Sequence, residues 1–406
     1  YAYAQKSAKR ETSNNSMAQN RIYLDYNASA PLLPSAREAM IAALDATGNP
    51  SSVHFEGRAS LKIIEKARSQ LGKAVGAKGN QIVFTSGASE AANQALSPII
   101  RAAGREVQVS KLYVSAIEHP CVLAGGRFAK EQISFLKVTE AGLIDLAELE
   151  NTLLAHDQTS GAPMVAVMLA NNETGIIQPI STIADLVHAH NGFLVVDAVQ
   201  ALGKIAFEVS TLAAHFVIVS SHKIGGPKGA GALIFGDASI SPQPMIIGGG
   251  QENFQRGGTE NIAAIAGFGA AAAEISSQTT KIDQMTLLRD SIEAGVGTIC
   301  AEAGNKAGEP VFFCRGENRL PNTSCFAVPG VKAETALISL DLAGVAVSSG
   351  SACSSGKVKK SHVLAAMGVE DDLAVCALRV STGALTTNED AEKFLGAFKA
   401  IVSRIA

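Results

Sequence analysis

The 406-residue chain has little charge. Lys, Arg, Asp and Glu make up 17% of it, and the formal net charge is −3. So balanced a surface offers no electrostatic footprint for nucleic acid, and the densest basic cluster, Lys357-Val358-Lys359-Lys360, reads as a solvated turn. No apolar run reaches the ~18 residues needed to cross a membrane. The longest, Ile262 to Ala273, is rich in Ala and Gly and reads as a packed helix. Cysteine is sparse too. Six are scattered at 121, 300, 314, 325, 353 and 376 with no C-x-x-C spacing, which argues for free thiols in a reducing compartment. The expected location is cytoplasmic.

What is present is apolar. Hydrophobic residues reach 47%, as in a compact globular protein, and the length suggests about two to three domains. Residues 1–20 differ, being polar and lacking the apolar core of a secretory signal. Met17 is the expected natural start, with residues 1–16 a disordered or foreign extension left outside the fold argument.

From about residue 80 to 236, short apolar strands alternate with helical patterns. The expected strands are 81–85, 111–115, 133–138, 164–170, 193–197, 216–220 and 232–235. Expected helices between them include 88–101, 146–155 and 180–190. This alternation predicts a mostly parallel sheet covered by helices, with ligands gathered at the carboxyl ends of its strands. After Gly248-Gly249-Gly250 the composition shifts. Helices over 261–276 and 281–298, short strands over 310–314, 324–327 and 377–381, and a closing helix over 389–405 predict a smaller α+β domain.

Unusual residues recur where these strands end. Thr85-Ser86-Gly87-Ala88-Ser89 turns from a strand into a helix, either as an anion site or as an ordinary capped terminus. Asp197 ends a buried strand, where a carboxylate needs a partner; a pyridinium nitrogen or a structural cap would each serve. Lys223 follows the next strand in Ser220-Ser221-His222-Lys223 and precedes Gly225-Gly226-Pro227. A desolvated lysine there could form a Schiff base, and its pairing with Asp197 is the signature of pyridoxal phosphate. Cys353 stands in Ser348-Ser349-Gly350-Ser351-Ala352-Cys353-Ser354-Ser355-Gly356, a segment of small residues that reads as a surface loop, an odd place for a free thiol. His119 precedes Pro120 and could stack on a flat ring, shuttle a proton or simply be hydrogen-bonded. Arg379 interrupts an apolar strand and should face a carboxylate.

Together these segments resemble the cysteine desulfurases of the nitrogen-fixation and iron–sulfur-cluster type, within the class V aminotransferase family. The similarity begins at Ile22-Tyr23-Leu24-Asp25-Tyr26-Asn27 and runs to the closing helix; its most specific motif is Ser-Ser-Gly-Ser-Ala-Cys over 348–353. The resemblance implies the fold type I of pyridoxal-phosphate transferases. Its large domain, residues 17–275, would hold a seven-stranded sheet, and its small domain, 276–406, would carry the cysteine loop. It also implies that L-cysteine becomes L-alanine while the sulfur passes as a persulfide on Cys353 to an acceptor or scaffold protein. Lys223 would carry the cofactor, Asp197 would pair with its ring nitrogen and His119 would stack on the ring. Asn172 and Gln200 would contact the phenolic oxygen. Ala88, Ser89, Ser220 and His222 would hold the phosphate, with Thr259 of the other subunit of a homodimer. Asn49 and Arg379 would bind the substrate carboxylate. Gly225 stands where the family commonly has an aromatic, which implies looser packing beside the cofactor. A different class V enzyme, an aminotransferase or selenocysteine lyase, would keep Lys223 and Asp197 but make Cys353 incidental. A scaffold using Cys353 as a metal ligand would need nearby thiols that the spacing does not supply.

Overall fold

The computed structural model describes residues 21–275, 279–304, 307–349 and 360–404. Cys353 and most of its Ser/Gly segment lie outside them. Strand β1 (Ile22–Tyr23) opens the described chain, and helices α1 (Pro34–Leu44) and α2 (Phe55–Val75) follow. Helix α2 stops at Gly76, whose φ of 67° supplies the left-handed cap that other residues adopt reluctantly.

The main sheet has nine strands. β2 (Ile82–Thr85) leads into α3 (Ala88–Ala95), and β3 (Ile99–Ala102) turns into β4 (Arg105–Ser115). β5 (Ile133–Leu136), β6 (Ala162–Met168), β7 (Phe193–Asp197), β8 (Phe216–Ser220), β9 (Gly231–Phe235) and β10 (Ile240–Pro242) complete it. The order is β10-β3-β4-β6-β7-β8-β9-β2, with β5 also on β4. β4, β5, β6, β7 and β8 run parallel; β9 is antiparallel to β8, and β2, antiparallel to β9, runs in the direction of β8 again. β7, β8 and β9 are buried throughout, which is why they appear in the sequence as unbroken apolar runs.

The seven strands expected from the sequence are all present, and β3 and β10 add an edge. That edge replaces the last turns of the helix expected over 88–101. Pro98 has no N–H to continue a helix, so α3 ends at Ala95. The chain returns as a hairpin whose two turn residues, Ala103 (φ 49°) and Gly104 (φ 76°), have the positive φ that a tight turn of this hand requires.

Helix α7 (Ile262–Ile275), the apolar run noted above, is buried on most of its surface and packs on α1 and α2. No helix among the described residues is long and apolar enough to cross a membrane. Beyond it, α8 (Thr279–Ala303), β11 (Val311–Phe312), β12 (Thr323–Ala327), α9 (Ala333–Leu342), β13 (Val345–Ala346), β14 (Ala377–Ser381) and α10 (Asn388–Val402) enclose a second core. β11, β12 and β14 form an antiparallel sheet. β1 pairs with β13, and Ile22 and Leu24 belong to that second core.

Candidate active site

Three segments meet where β7 and β8 end. Asp197 is the last residue of β7, buried, with Oδ1 accepting the Val199 N–H at 2.9 Å. Burial raises its carboxyl to about 6, against the pull of the Val199 N–H and of Lys223. Lys223 closes the single turn after β8. Its Nζ donates to the Asn27 carbonyl at 2.6 Å and to that of Ala28 at 2.9 Å. Burial, and then Arg379, lower the amine to about 8, with Asp197 and Asp25 opposing. About a tenth of Lys223 is therefore uncharged at pH 7, far more than for an ordinary lysine, and the uncharged form is the nucleophile.

His119 follows β4 and caps a short helix, Pro120–Leu123. Its Nδ1 accepts the Cys121 N–H at 3.2 Å and lies 3.0 Å from Cys121 Sγ, so the ring proton belongs on Nε2. Burial, Lys223 and His362 lower its pKa. Cys121, raised to about 12 chiefly by burial, remains a thiol. His222 touches Ser29 Oγ at 3.3 Å and is driven to about 4 by burial, then by Lys223 and other cations.

Arg379 reaches the same place from the small sheet, opposite Cys325 in the register of β14 and β12. One guanidinium nitrogen donates to Asp25 Oδ1 at 2.6 Å and another to the Asn172 carbonyl at 2.9 Å. Its Nε is buried without a partner among the described residues. The backbone of Arg379 exchanges hydrogen bonds with Ser348, at 2.6 and 3.1 Å. The root of the segment that carries Cys353 is thus anchored beside Arg379.

Helix α3 begins after Gly87 with no side-chain cap, so Ala88 and Ser89 open it with free backbone N–H groups. A Cβ on Gly87 would meet nothing within 4 Å, whereas one on Gly231 of β9 would lie 2.6 Å from the Gly87 carbonyl carbon. Glycine at 231 is what lets β9 pass so close behind this terminus. Ser220 is buried at the end of β8. Gly225 has φ 81°, and a Cβ there would lie 2.6 Å from Leu33 Cγ. The space expected to be loose is filled by Leu33.

Two residues named from the sequence are exposed. Asn49 is exposed, and its Oδ1 accepts the Ser51 N–H at 2.9 Å within its own turn. Thr259 is exposed beside Gly258, on a stretch tied to α3 by the Arg256–Glu90 ion pair at 2.9 Å. Four residues of the cluster were not singled out from the sequence. Asp25 and Asn27 stand in the opening motif but carried no chemical anomaly. Lys204 carries no anomaly in the sequence around it. Glu118 is fully enclosed, with one oxygen on the Met168 N–H at 2.7 Å and the other unpartnered; burial, and then Asp197, push it well above the usual carboxyl range.

The donor set suits pyridoxal phosphate. Uncapped N–H groups at a helix start can hold a dianion, a buried carboxylate without a bonded cation can face a pyridinium, and a weakened amine can take an aldehyde. Fold and site define a fold type I pyridoxal-phosphate enzyme.

The comparisons narrow this. The aminotransferase class-V family matches residues 22–394. A cysteine desulfurase IscS of Dictyoglomus turgidum is 36% identical over 392 residues, spanning 95% of this chain and 96% of that protein. A NifS-like protein of Rickettsia africae, solved by X-ray, shares 32% identity with a TM-score of 0.79, covering 94% of this chain and 99% of its own. A protein named SspA, solved in complex with cysteine, shares 28% identity with a TM-score of 0.71, over 90% and 99%. The chain belongs to the aminotransferase class-V family of pyridoxal-phosphate-dependent enzymes.

Proposed function

We propose that this chain is a cysteine desulfurase, turning L-cysteine into L-alanine and passing the sulfur onward from Cys353. The observation that carries the reading is Asp197 and Lys223 at the ends of neighbouring parallel strands, with Arg379 brought to the same point from the second sheet. Relatives at this level of identity bear the same activity in their names.

When bound, pyridoxal phosphate supplies the electron sink for charge released at the substrate Cα. The chain's own groups do the rest. N–H groups of Ala88 and Ser89, with Ser220 and His222, would hold the phosphate. Asp197 would keep a negative charge against the ring nitrogen, and His119 would stack on the ring. Gln200 and Asn172 would contact the phenolic oxygen. Arg379, with Nε free, grips the α-carboxylate. Lys223, uncharged in part at neutral pH, accepts the Cα proton and returns it. His119, protonated on Nε2, is placed to pass a proton on.

Cys353 lies outside the described residues, and its role rests on the family motif and on the anchoring of its segment at Ser348. Its thiolate attacks the substrate sulfur: the Cβ–S bond breaks with its electron pair staying on carbon, an S–S bond forms, and Cβ takes up a proton to match the one the thiol gave up. L-cysteine plus thiol thus gives L-alanine plus persulfide, balanced without an external oxidant. The same reading makes the protein a cytoplasmic homodimer in which Thr259 reaches the partner's phosphate site, and makes an acceptor protein the destination of the sulfur. It also divides the chain into a large domain to residue 275 and a small one from 276.

The test is turnover of L-cysteine by wild type and Cys353→Ser. Wild type should release alanine and carry a persulfide at Cys353. The variant should bind L-cysteine yet release no alanine; normal alanine release would move the sulfur acceptor elsewhere.

A further inference from the structure

Lys204 is buried within the cluster, and the proposed chemistry leaves it unused. Its Nζ donates to Asn27 Oδ1 at 2.8 Å and to Gln200 Oε1. Both acceptors are amide oxygens, and Nζ makes no ion pair with a carboxylate among the described residues. Burial, and then the cations Lys223 and Arg379, hold this amine well below its ordinary range.

An amide's two ends are nearly alike in shape, so its orientation is decided by its partners. With Oε1 taken by Lys204, Gln200 has Nε2 left to offer. That Nε2 donates at 2.9 Å to the Asn27 carbonyl, the atom that also accepts Lys223 Nζ at 2.6 Å. Asn27 is oriented in the same way. Its Oδ1 takes Lys204 and, at 3.1 Å, Asn322 Nδ2, while its own Nδ2 donates to the Asn172 carbonyl at 3.1 Å.

We propose that Lys204 is a positioning residue that fixes the Gln200 amide by its oxygen, so that Gln200 Nε2 is the donor presented beside Lys223 to the cofactor. The inference rests on the cofactor reading above.

A double-mutant cycle tests it. Wild type, Lys204→Met, Gln200→Ala and the double variant are loaded with pyridoxal phosphate. Two quantities are read without turnover: cofactor affinity by equilibrium dialysis, and the position of the visible absorption band. Losing one oriented hydrogen bond should weaken retention about fivefold and displace the band. In the Gln200→Ala background, Lys204→Met should add nothing. Additive effects, or no effect of Lys204→Met alone, would overturn the proposal. Should Lys204→Met not fold, Lys204→Leu carries the same comparison, since it too removes the donor to Gln200. Failure of the underlying reading looks different, because wild type would then take up no cofactor and show no band.

Discussion

The two walls of the site are built on different principles. The wall from the parallel sheet carries Asp197, Lys223 and His119 on segments that follow β7, β8 and β4, and burial moves each toward neutrality. The wall from the small antiparallel sheet contributes Arg379 from within β14, charge-matched to Asp25 at 2.6 Å and fixed by backbone bonds to Ser348. Where several strands end together, side chains leave the sheet into a shared, poorly solvated space, and groups there acquire the proton affinities that chemistry near neutral pH needs. A residue inside a strand has its backbone committed on both sides, which suits a fixed charge that grips a substrate. In the proposed reading, one wall moves protons and the other holds the molecule they are moved on.

Breaking the holding wall should have the largest effect. Arg379→Ala removes a charge-assisted grip worth a few kcal/mol, so KM for L-cysteine should rise roughly a hundredfold, at ~1.4 kcal/mol per tenfold. The amine-labelling profile of Lys223 should shift less. If Arg379→Ala leaves KM unchanged, Arg379 serves the fold through Asp25 and the division of labour fails.

The tuned wall yields a smaller effect, of opposite sign for stability and function. The Asp197 carboxyl sits at about 6 in the folded chain, against 3.8 ordinarily. A carboxyl raised in this way binds its proton more tightly when folded. Its stabilising contribution is therefore complete below about 3.8 and lost as pH rises through about 6. Asp197→Asn, neutral throughout, should stabilise the cofactor-free chain by about 2–3 kcal/mol at pH 8, the gain vanishing near pH 4. Its affinity for pyridoxal phosphate should fall at the same time. Thermal melts across pH check the first and dialysis the second; a melt indifferent to pH would mean that Asp197 is not strained by its burial.

The same contrast explains what the sequence made legible. Strand-end residues announce themselves because an apolar run stops at a charge. Asp197 after Phe193-Leu194-Val195-Val196 and Lys223 just past Phe216-Val217-Ile218-Val219-Ser220 were readable for that reason, as were the seven strands themselves. Arg379 stood out as a charge inside Ala377–Ser381. The edge hairpin was harder to foresee, since Ala-rich α3 continues in composition into Ile99–Ala102 and only Pro98 marks the break. Asn27, Lys204 and Glu118 gave no local signal. Their importance comes from contacts with residues distant in sequence, 50 positions for Glu118 with Met168, 177 for Lys204 with Asn27 and 196 for Asn27 with Lys223, and linear spacing does not encode these. Gly225 misled in the opposite direction, because the space beside it is taken by Leu33 from a different helix approach.

Two lysines, the buried Lys204 and the half-buried Lys223, lie in one cluster, so the decisive question is which amine carries the cofactor. Reducing the pyridoxal-phosphate-loaded protein with borohydride and mapping the modified peptide would decide it. The pyridoxyl group should appear on Lys223, with Lys204 unmodified. A pyridoxyl group on Lys204, or on any lysine outside the Ser220–Lys223 segment, would contradict that assignment.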